Sequence, residues 1–193
     1  MTPGQHFIIS WVVANCVGLD RRSRICITAA GLLPDLDGLG ILSDKLTPYL
    51  GYHTSLYAQY HHVLGHNLMF GIVLSTGFSA LCQRRALVFA LCLLAFHLHV
   101  VCDLAGSMGP DGYQWPIYYL YPLTPSYQLT WSGQWELNSW INSVIGAVFF
   151  TMALLQARYR KVTFFELFSP KLENTVLAVG AQRGFFKSPG KTQ

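Results

Sequence analysis

The stretch that decides the fold is ALVFALCLLAFHLHVVCDLAG, residues 86–106. Residues 86–96 are all apolar, and the run is then interrupted by His97, His99 and Asp103. About 20 apolar residues are enough to cross a bilayer as a helix. An ionisable residue at membrane depth is costly and by default indicates function. The stretch therefore predicts a membrane-spanning helix that carries functional polar residues towards one end.

The composition of the whole chain also indicates an integral membrane protein. Of its 193 residues, 52% are hydrophobic and only 11% are charged, whereas soluble domains usually carry about 25% charged residues. Two further uncharged stretches, 63–82 and 137–157, are long enough to span a bilayer. Shorter apolar pieces at 6–19 and 25–34 flank the basic sequence DRRSR. We therefore predict an all-α membrane bundle over residues 1–157, with three long spans and a short N-terminal helical hairpin.

The basic residues predict the orientation of this bundle. They cluster at 21–24, 84–85 and 158–161, and these clusters can all be cytoplasmic at once. Of the thirteen lysines and arginines, only Lys45 then lies outside, together with all seven histidines and six of the nine acidic residues. This segregation predicts a cation site at the outer face and a cytoplasmic, partly disordered tail over residues 158–193. Clustered charge of this kind does not favour nucleic acid as a partner.

The spacing of the polar residues suggests metal ligands. Residues four apart share a helix face and residues two apart do not, so His99 and Asp103 point together while His97 points elsewhere. Such a pair can offer an imidazole nitrogen and a carboxylate oxygen to one metal ion. In LLPDLDG, residues 32–38, Asp35 and Asp37 follow a proline. A polar turn is the ordinary explanation, but two carboxylates at a membrane boundary fit a cation better.

Two further stretches contribute candidates. In YHHVLGHN, residues 60–67, His62 and His66 are four apart and converge on a continuous helix, whereas His61 and His66 converge only if His61 precedes the helix. Spacing alone favours His62. His6 opens the first apolar piece on the same side and joins the candidates. The aromatic stretch 104–136 predicts an interfacial belt or, alternatively, a lid over the site.

The motifs, in the order His6, GLLPDLD, HHVLGH, HLHVVCD, WPIYYLYPL and WELNSWIN, resemble the YdjM-like family over roughly residues 3–145. That family is described as LexA-binding, inner-membrane-associated, metal-dependent hydrolases of bacteria. Its third motif usually reads His-Arg-x-x-Thr/Ser-His. His61 and His66 match the two histidine positions, His62 replaces the arginine and Gly65 replaces the hydroxyl residue. The resemblance therefore favours His61 over His62 as a ligand. The family is also distantly similar to zinc-dependent phospholipase C and P1 nuclease, which implies phosphoester hydrolysis.

Together these observations predict a multi-pass protein of the bacterial inner membrane with a metal site facing the periplasm. We expect it to hydrolyse a phosphoester or related bond in a lipid or lipid-linked substrate. One to three divalent ions, with zinc as first choice, would be held by His6, Asp35, Asp37, His61, His66, His99 and Asp103. Two ions about 3.5–4 Å apart would use so many ligands better than one structural zinc.

The predicted supporting residues are His62, Glu136 and Asn138, and Asp37 or Asp35 would serve as general base. Two alternatives come from other classes of protein. One is a non-enzymatic membrane protein that binds metal, and the other is a regulatory adaptor that binds a protein partner through its tail.

Overall fold

The computed structural model describes residues 1–186, and within them the chain forms eight α-helices. Short 3-10 segments and irregular loops connect the helices, and isolated bridges join Met108 to Glu136 and Ile117 to Leu129. The helices are α1 Pro3–Ala14, α2 Arg21–Ala30, α3 Gly40–Leu46, α4 Leu56–Tyr60, α5 Leu68–Ala80, α6 Arg85–Gly106, α7 Trp140–Arg160 and α8 Pro170–Gln182. The 3-10 segments are Leu33–Leu39, Thr47–Leu50 and Phe164–Leu167.

Short-range hydrogen bonds explain where several of these helices begin. Thr2 and Gln5 form a capping box at the start of α1. The Asp20 side chain accepts a hydrogen bond from the backbone N–H of Ser23 at the start of α2. The Asn67 side chain does the same for α5. Each cap satisfies a backbone N–H that the first turn of a helix leaves unpaired.

The central element of the bundle is α6, which packs against α1, α2 and α5. Ala14, Ala30 and Ala95 are fully buried where these helices meet. Side chains this small allow helix backbones to approach closely, as is common among membrane helices. In contrast, α7 packs mainly on α1 and leaves most of its apolar surface exposed. The predicted N-terminal hairpin is present as α1 and α2.

Two of the three predicted long spans have the required length. Helices α6 and α7 are apolar enough and, at 22 and 21 residues, long enough to cross a membrane. The third predicted span, 63–82, contains only the 13-residue helix α5, because the chain before Asn67 forms an irregular loop instead of a helix. A further candidate is the pair formed by α2 and Leu33–Leu50, which is bent by 46°.

Much of the predicted tail is folded against the bundle. The carboxylate of Glu166 is paired with Arg24 of α2, and the backbone carbonyl of Glu166 accepts from Arg21. Buried Glu173 of α8 accepts from the backbone N–H of Thr163 at 2.6 Å. The predicted disorder at the end of the tail falls on residues 187–193, which lie outside the described residues.

Candidate metal centre

Four separate segments bring polar side chains together beside the C-terminal half of α6. They are the first turn of α1, the 3-10 segment Leu33–Leu39, the loop 61–67 and α6 itself. Asp103 lies at the centre: its Oδ1 is 3.1 Å from His6 Nε2, and its Oδ2 is 3.0 Å from His99 Nε2. His99 and Asp103 thus share a helix face, as their spacing predicts.

Within the described residues, two groups of side chains could each hold a metal ion. The first group is His6, Asp35, His99 and Asp103, and the second group is His62, His66 and Asp103. The ligand atoms in each group lie within 4.8 Å of one another. Nitrogen and carboxylate oxygen atoms this close together could hold a divalent metal ion after small side-chain movements. Because Asp103 belongs to both groups, its carboxylate could bridge two ions.

The orientation of His99 is set by its second ring nitrogen. Nδ1 of His99 donates to the carbonyl oxygen of Gly31 at 2.8 Å. Glycine at position 31 lets the end of α2 lie close to α1, because a Cβ there would lie 1.9 Å from Ser10 Oγ and 2.8 Å from Ser10 Cβ. A carbonyl oxygen can only accept, so Nε2 of His99 carries the lone pair and faces Asp103.

Asp37 orients a second histidine and belongs to neither group. Its Oδ2 accepts from His66 Nδ1 at 3.0 Å and from the Gly65 amide at 2.9 Å, and its Oδ1 accepts from His61 Nδ1 at 2.9 Å. Carboxylates of this kind fix the ring orientation of metal-binding histidines. The structure therefore places Asp37, a predicted ligand, behind His66.

The N-terminal amine of Met1 brings one positive charge to the centre, where it is paired with Oδ1 of Asp103. Because Nδ1 of both His66 and His99 donates, their Nε2 atoms face one another across 3.0 Å. Asp103 Oδ2 lies 3.4 Å from His66 Nε2 and has no hydrogen-bond partner among the described residues. Two lone pairs and an anion repel one another at such distances unless a proton or a metal ion lies between them.

His62 enters the second group through an unusual backbone conformation. Its φ is +66°, in the left-handed region that residues other than glycine rarely adopt and that clusters at functional sites. Helix α4 ends at Tyr60, so His62 and His66 do not lie on one continuous helix, yet their ring centroids are 4.5 Å apart. His61, which the resemblance favours as a ligand, lies outside both groups and bonds Asp37 instead.

A close backbone contact explains the glycine in the loop 61–67. A Cβ at Gly65 would lie 2.3 Å from the carbonyl oxygen of Pro34, and the Gly65 amide donates to Asp37. The hydroxyl residue that the family usually carries would not fit here unless Pro34 moved.

A cavity of about 450 Å³ opens beside the two groups. Trp115 of the aromatic loop lies edge-on to His61 and His62, with ring centroids 5.7 and 6.0 Å apart. The loop thus reaches over the site, as the lid alternative predicts. The ionisable side chains in the cavity wall are Asp35, Tyr57, His61, His62 and Asp103, and the apolar ones include Leu39, Ile41, Met108, Trp115 and Leu137.

Glu136 and Asn138, predicted as supporting residues, are both exposed. The polar side chains that hold the end of α6 are instead Gln134 and Asn142. Gln134 Nε2 donates to the backbone carbonyl of Asp103 at 3.0 Å, and Asn142 Nδ2 donates to that of Gly106 at 2.9 Å. Both side chains are buried. Asn142 could have been found from the sequence, because it is an amide inside an apolar span.

His97 lies away from the centre, as the helix spacing predicts. Its Nδ1 donates to the carbonyl of Leu93 at 2.7 Å, and its Nε2 is 2.8 Å from the hydroxyl of Tyr119. Both ring nitrogens are therefore occupied by contacts outside the two metal groups.

The helices and the site together define an all-helical membrane protein with buried clusters of histidine and aspartate that could hold metal. Residues 1–170 match the family model described as YdjM inner membrane protein, and the chain belongs to that family. The match runs past residue 145, where the motifs end, and includes the start of the tail. No curated protein and no solved structure matches the chain significantly.

Proposed function

We propose that this protein is a membrane-bound, metal-dependent hydrolase that cleaves a phosphoester or related bond in a lipid or lipid-linked substrate. The observation that carries the proposal is the pair of buried ligand groups that share Asp103 and adjoin a largely apolar cavity. A single structural zinc needs four protein ligands in a closed site. Two overlapping groups beside a cavity suit a catalytic site with open positions better.

The contacts of each residue suggest its role in the proposed reaction. Bound divalent ions would supply Lewis-acid activation of water and of the substrate oxygens. His6, His62, His66, His99 and Asp103 would hold these ions, and zinc suits such nitrogen and carboxylate donors. Asp37 would keep the His66 ring in place, since its carboxylate is fully engaged by three donors.

Asp35 is the better placed of the two predicted general bases. It lines the cavity, and its Oδ2 has no hydrogen-bond partner among the described residues. Its Oδ1 is 3.7 Å from His99 Nε2. A free carboxylate oxygen beside the ligands could accept a proton from the attacking water, and the same carboxylate could instead complete the first group as a ligand.

The lining of the cavity favours a substrate that has both an anionic group and a hydrocarbon portion. In the part of the chain that the structure describes, the cavity wall contains no lysine or arginine side chain, and the N-terminal amine of Met1 in the wall is already paired with Asp103. The metal ions would therefore balance the charge of a phosphoester. The apolar wall would accommodate a hydrocarbon portion, as ligand pockets commonly do. Phosphoester chemistry itself comes from the likeness of the family to zinc-dependent phospholipase C and P1 nuclease, which is an analogy of fold.

The proposed position of the site is the outer, periplasmic face of the inner membrane. Its support is the segregation of basic clusters from histidines in the sequence. In intact cells, a cysteine at Gly112 should react with a membrane-impermeant reagent, and a cysteine at Arg160 should not. Labelling at position 160 but not at position 112 would contradict this proposal and would indicate that the site faces the cytoplasm.

The test of the activity uses the purified full chain loaded with zinc and a panel of phospholipids and lipid-linked phosphates. We expect release of phosphate or of a phosphorylated head group. Asp35→Asn should lower the rate by about 10²–10⁴-fold, the usual contribution of a general base. His97→Ala is the matched control, because His97 contacts Tyr119 and neither metal group.

Turnover that survives both a chelator and Asp35→Asn would overturn the metallohydrolase proposal. Bound metal without turnover on the whole panel would favour the non-enzymatic metal-binding alternative.

A further inference from the structure

An exposed row of leucines runs along the segment that follows Asp35. The row, which we call the leucine ridge, consists of Leu36, Leu39, Leu42, Leu46 and Leu50, each between 53% and 64% exposed. Their spacing of three or four residues puts them on one side of α3 and the 3-10 turns that flank it. Tyr49, at the end of the ridge, is 88% exposed.

Except for Lys45, which is exposed, the polar side chains of the same segment are buried or half-buried. Asp44 turns towards α4, where its carboxylate accepts from the backbone N–H groups of Leu56 and Tyr57 and from the hydroxyl of Thr54, each at 2.8 Å. Asp37 and Asp44 are thus engaged by the protein and Asp35 lines the cavity, while the leucines are uncovered. This inversion is typical of a surface that faces lipid.

The length of the preceding helix places the ridge at membrane depth. At a rise of about 1.5 Å per residue, the ten residues of α2 cover about 15 Å, half of a hydrocarbon core of about 30 Å. The same rise puts His99 and Asp103 about 21 and 27 Å along α6 from Arg85. The segment Leu33–Leu50 and the metal centre therefore share the half of the bilayer opposite the basic end of α2. The 46° bend after α2 turns the ridge across that leaflet.

The ridge is continuous with the wall of the cavity. Leu39 belongs to the ridge and also lines the cavity, as does its neighbour Ile41, which is itself exposed. Beyond them lie Asp35 and Asp103 in the same wall. A molecule that moves within the leaflet would therefore meet apolar side chains first and carboxylates second.

We propose that the leucine ridge is embedded in the outer leaflet and that an amphipathic lipid enters the cavity sideways from the bilayer, past Leu39 and Ile41. The embedding stands on the exposed leucines and the bend after α2, and the assignment to the outer leaflet rests on the proposed periplasmic position of the site. The sideways entrance of a substrate rests in addition on the proposed hydrolase function. Lys45, the single basic residue of Leu33–Leu50, is exposed and can reach a lipid phosphate with its flexible side chain.

The first experiment tests the embedding without reference to activity. The photo-reactive residue p-benzoylphenylalanine is placed at Leu42 or Leu46 in the full chain, which is reconstituted into vesicles of phosphatidylethanolamine and phosphatidylglycerol. After illumination, mass spectrometry should find covalent lipid adducts at both positions. The same residue at Gln59, an exposed polar position of α4, should give at least about tenfold fewer adducts. Adducts only at Gln59, or cross-links between two copies of the chain, would overturn the embedding.

The second experiment tests the entrance. A buried charge is costly in a membrane, so Leu42→Asp should lift the ridge from the leaflet. We expect turnover of a bilayer-embedded phospholipid to fall about tenfold or more and turnover of a water-soluble, short-chain analogue to change less than about twofold. Equal losses on both substrates would refute the sideways entrance. If the unaltered chain turns over neither substrate, the hydrolase proposal fails, while the adducts still decide whether the ridge lies in lipid.

Discussion

Replacing Asp37 with asparagine should lower the metal affinity of the site by about 10–100-fold while leaving the number of bound ions unchanged. This is the usual cost of removing a carboxylate that orients a metal-binding histidine. The prediction follows from the position of Asp37, which bonds His61 and His66 and lies in neither candidate group.

The size of the expected loss in metal affinity follows from the three hydrogen bonds of Asp37. The carboxylate accepts from His61, His66 and the Gly65 amide. Asparagine can keep an acceptor oxygen towards His66 and Gly65, but it removes the negative charge from the bond to His66, the histidine that Asp37 orients. A hydrogen bond to a charged group contributes about 1.5–3 kcal/mol and a neutral one about 0.5–1.5 kcal/mol. The difference of about 1–1.5 kcal/mol corresponds to about a tenfold change in affinity, the lower end of the expected range.

The assay is competitive titration of the purified protein against a chelator of known affinity, with metal content measured separately. Asp44→Asn is the matched control, because Asp44 also accepts three hydrogen bonds and lies outside both groups. It should leave metal affinity unchanged. Asp103→Asn, which alters the shared ligand, should lower the metal content itself. If Asp37→Asn lowers the metal content as far as Asp103→Asn does, Asp37 is a direct ligand and the reasoning is refuted.

Three further predictions follow from the site. His62→Ala should lower the metal content and His61→Ala should not, as measured by elemental analysis; equal losses would contradict the placement of the two histidines. Gly65→Ala should destabilise the protein by about 1–3 kcal/mol because its Cβ would crowd backbone atoms of the preceding segment, whereas Gly77→Ala, which meets nothing within 4 Å, should be neutral or stabilising in thermal unfolding. Removal of bound metal should lower Tm by about 5–10 °C. A ligand at 100 times its Kd stabilises the folded protein by about 2.7 kcal/mol, and each kcal/mol shifts Tm by about 2–4 °C for a protein of this size. An unchanged Tm would exclude a tightly bound ion.

Local patterns in the sequence determined the features that depend on neighbouring residues. The apolar runs around α6 and α7 identified two spans, because a membrane requires length and apolarity that can be counted directly. The spacing of His99 and Asp103 put them on one face of α6, and the offset of His97 turned it away, because helix geometry fixes both relations. The N-terminal hairpin followed from two apolar pieces around a basic turn.

The chain before α5 is a region whose structure the local sequence pattern did not predict. An apolar stretch of sufficient length predicted a long span, but residues 61–67 form an irregular loop that delivers His66 to the site. Likewise, spacing suggested a continuous helix through His62, whereas a left-handed backbone at that residue turns its side chain to Asp103. A single unusual φ is stabilised by surrounding packing, which no short window of sequence contains.

Tertiary packing alone decided which predicted ligands meet. His6 and Asp103 are 97 residues apart in the chain and 3.1 Å apart in space, because α1 packs against α6. Whether Asp37 binds a metal ion directly or orients His66 depends on where the segment after α2 bends. The spacing of residues in the sequence does not predict that bend. The leucine ridge could not be predicted from the sequence, because the exposure of its leucines depends on the same bend, which turns carboxylates such as that of Asp44 inward.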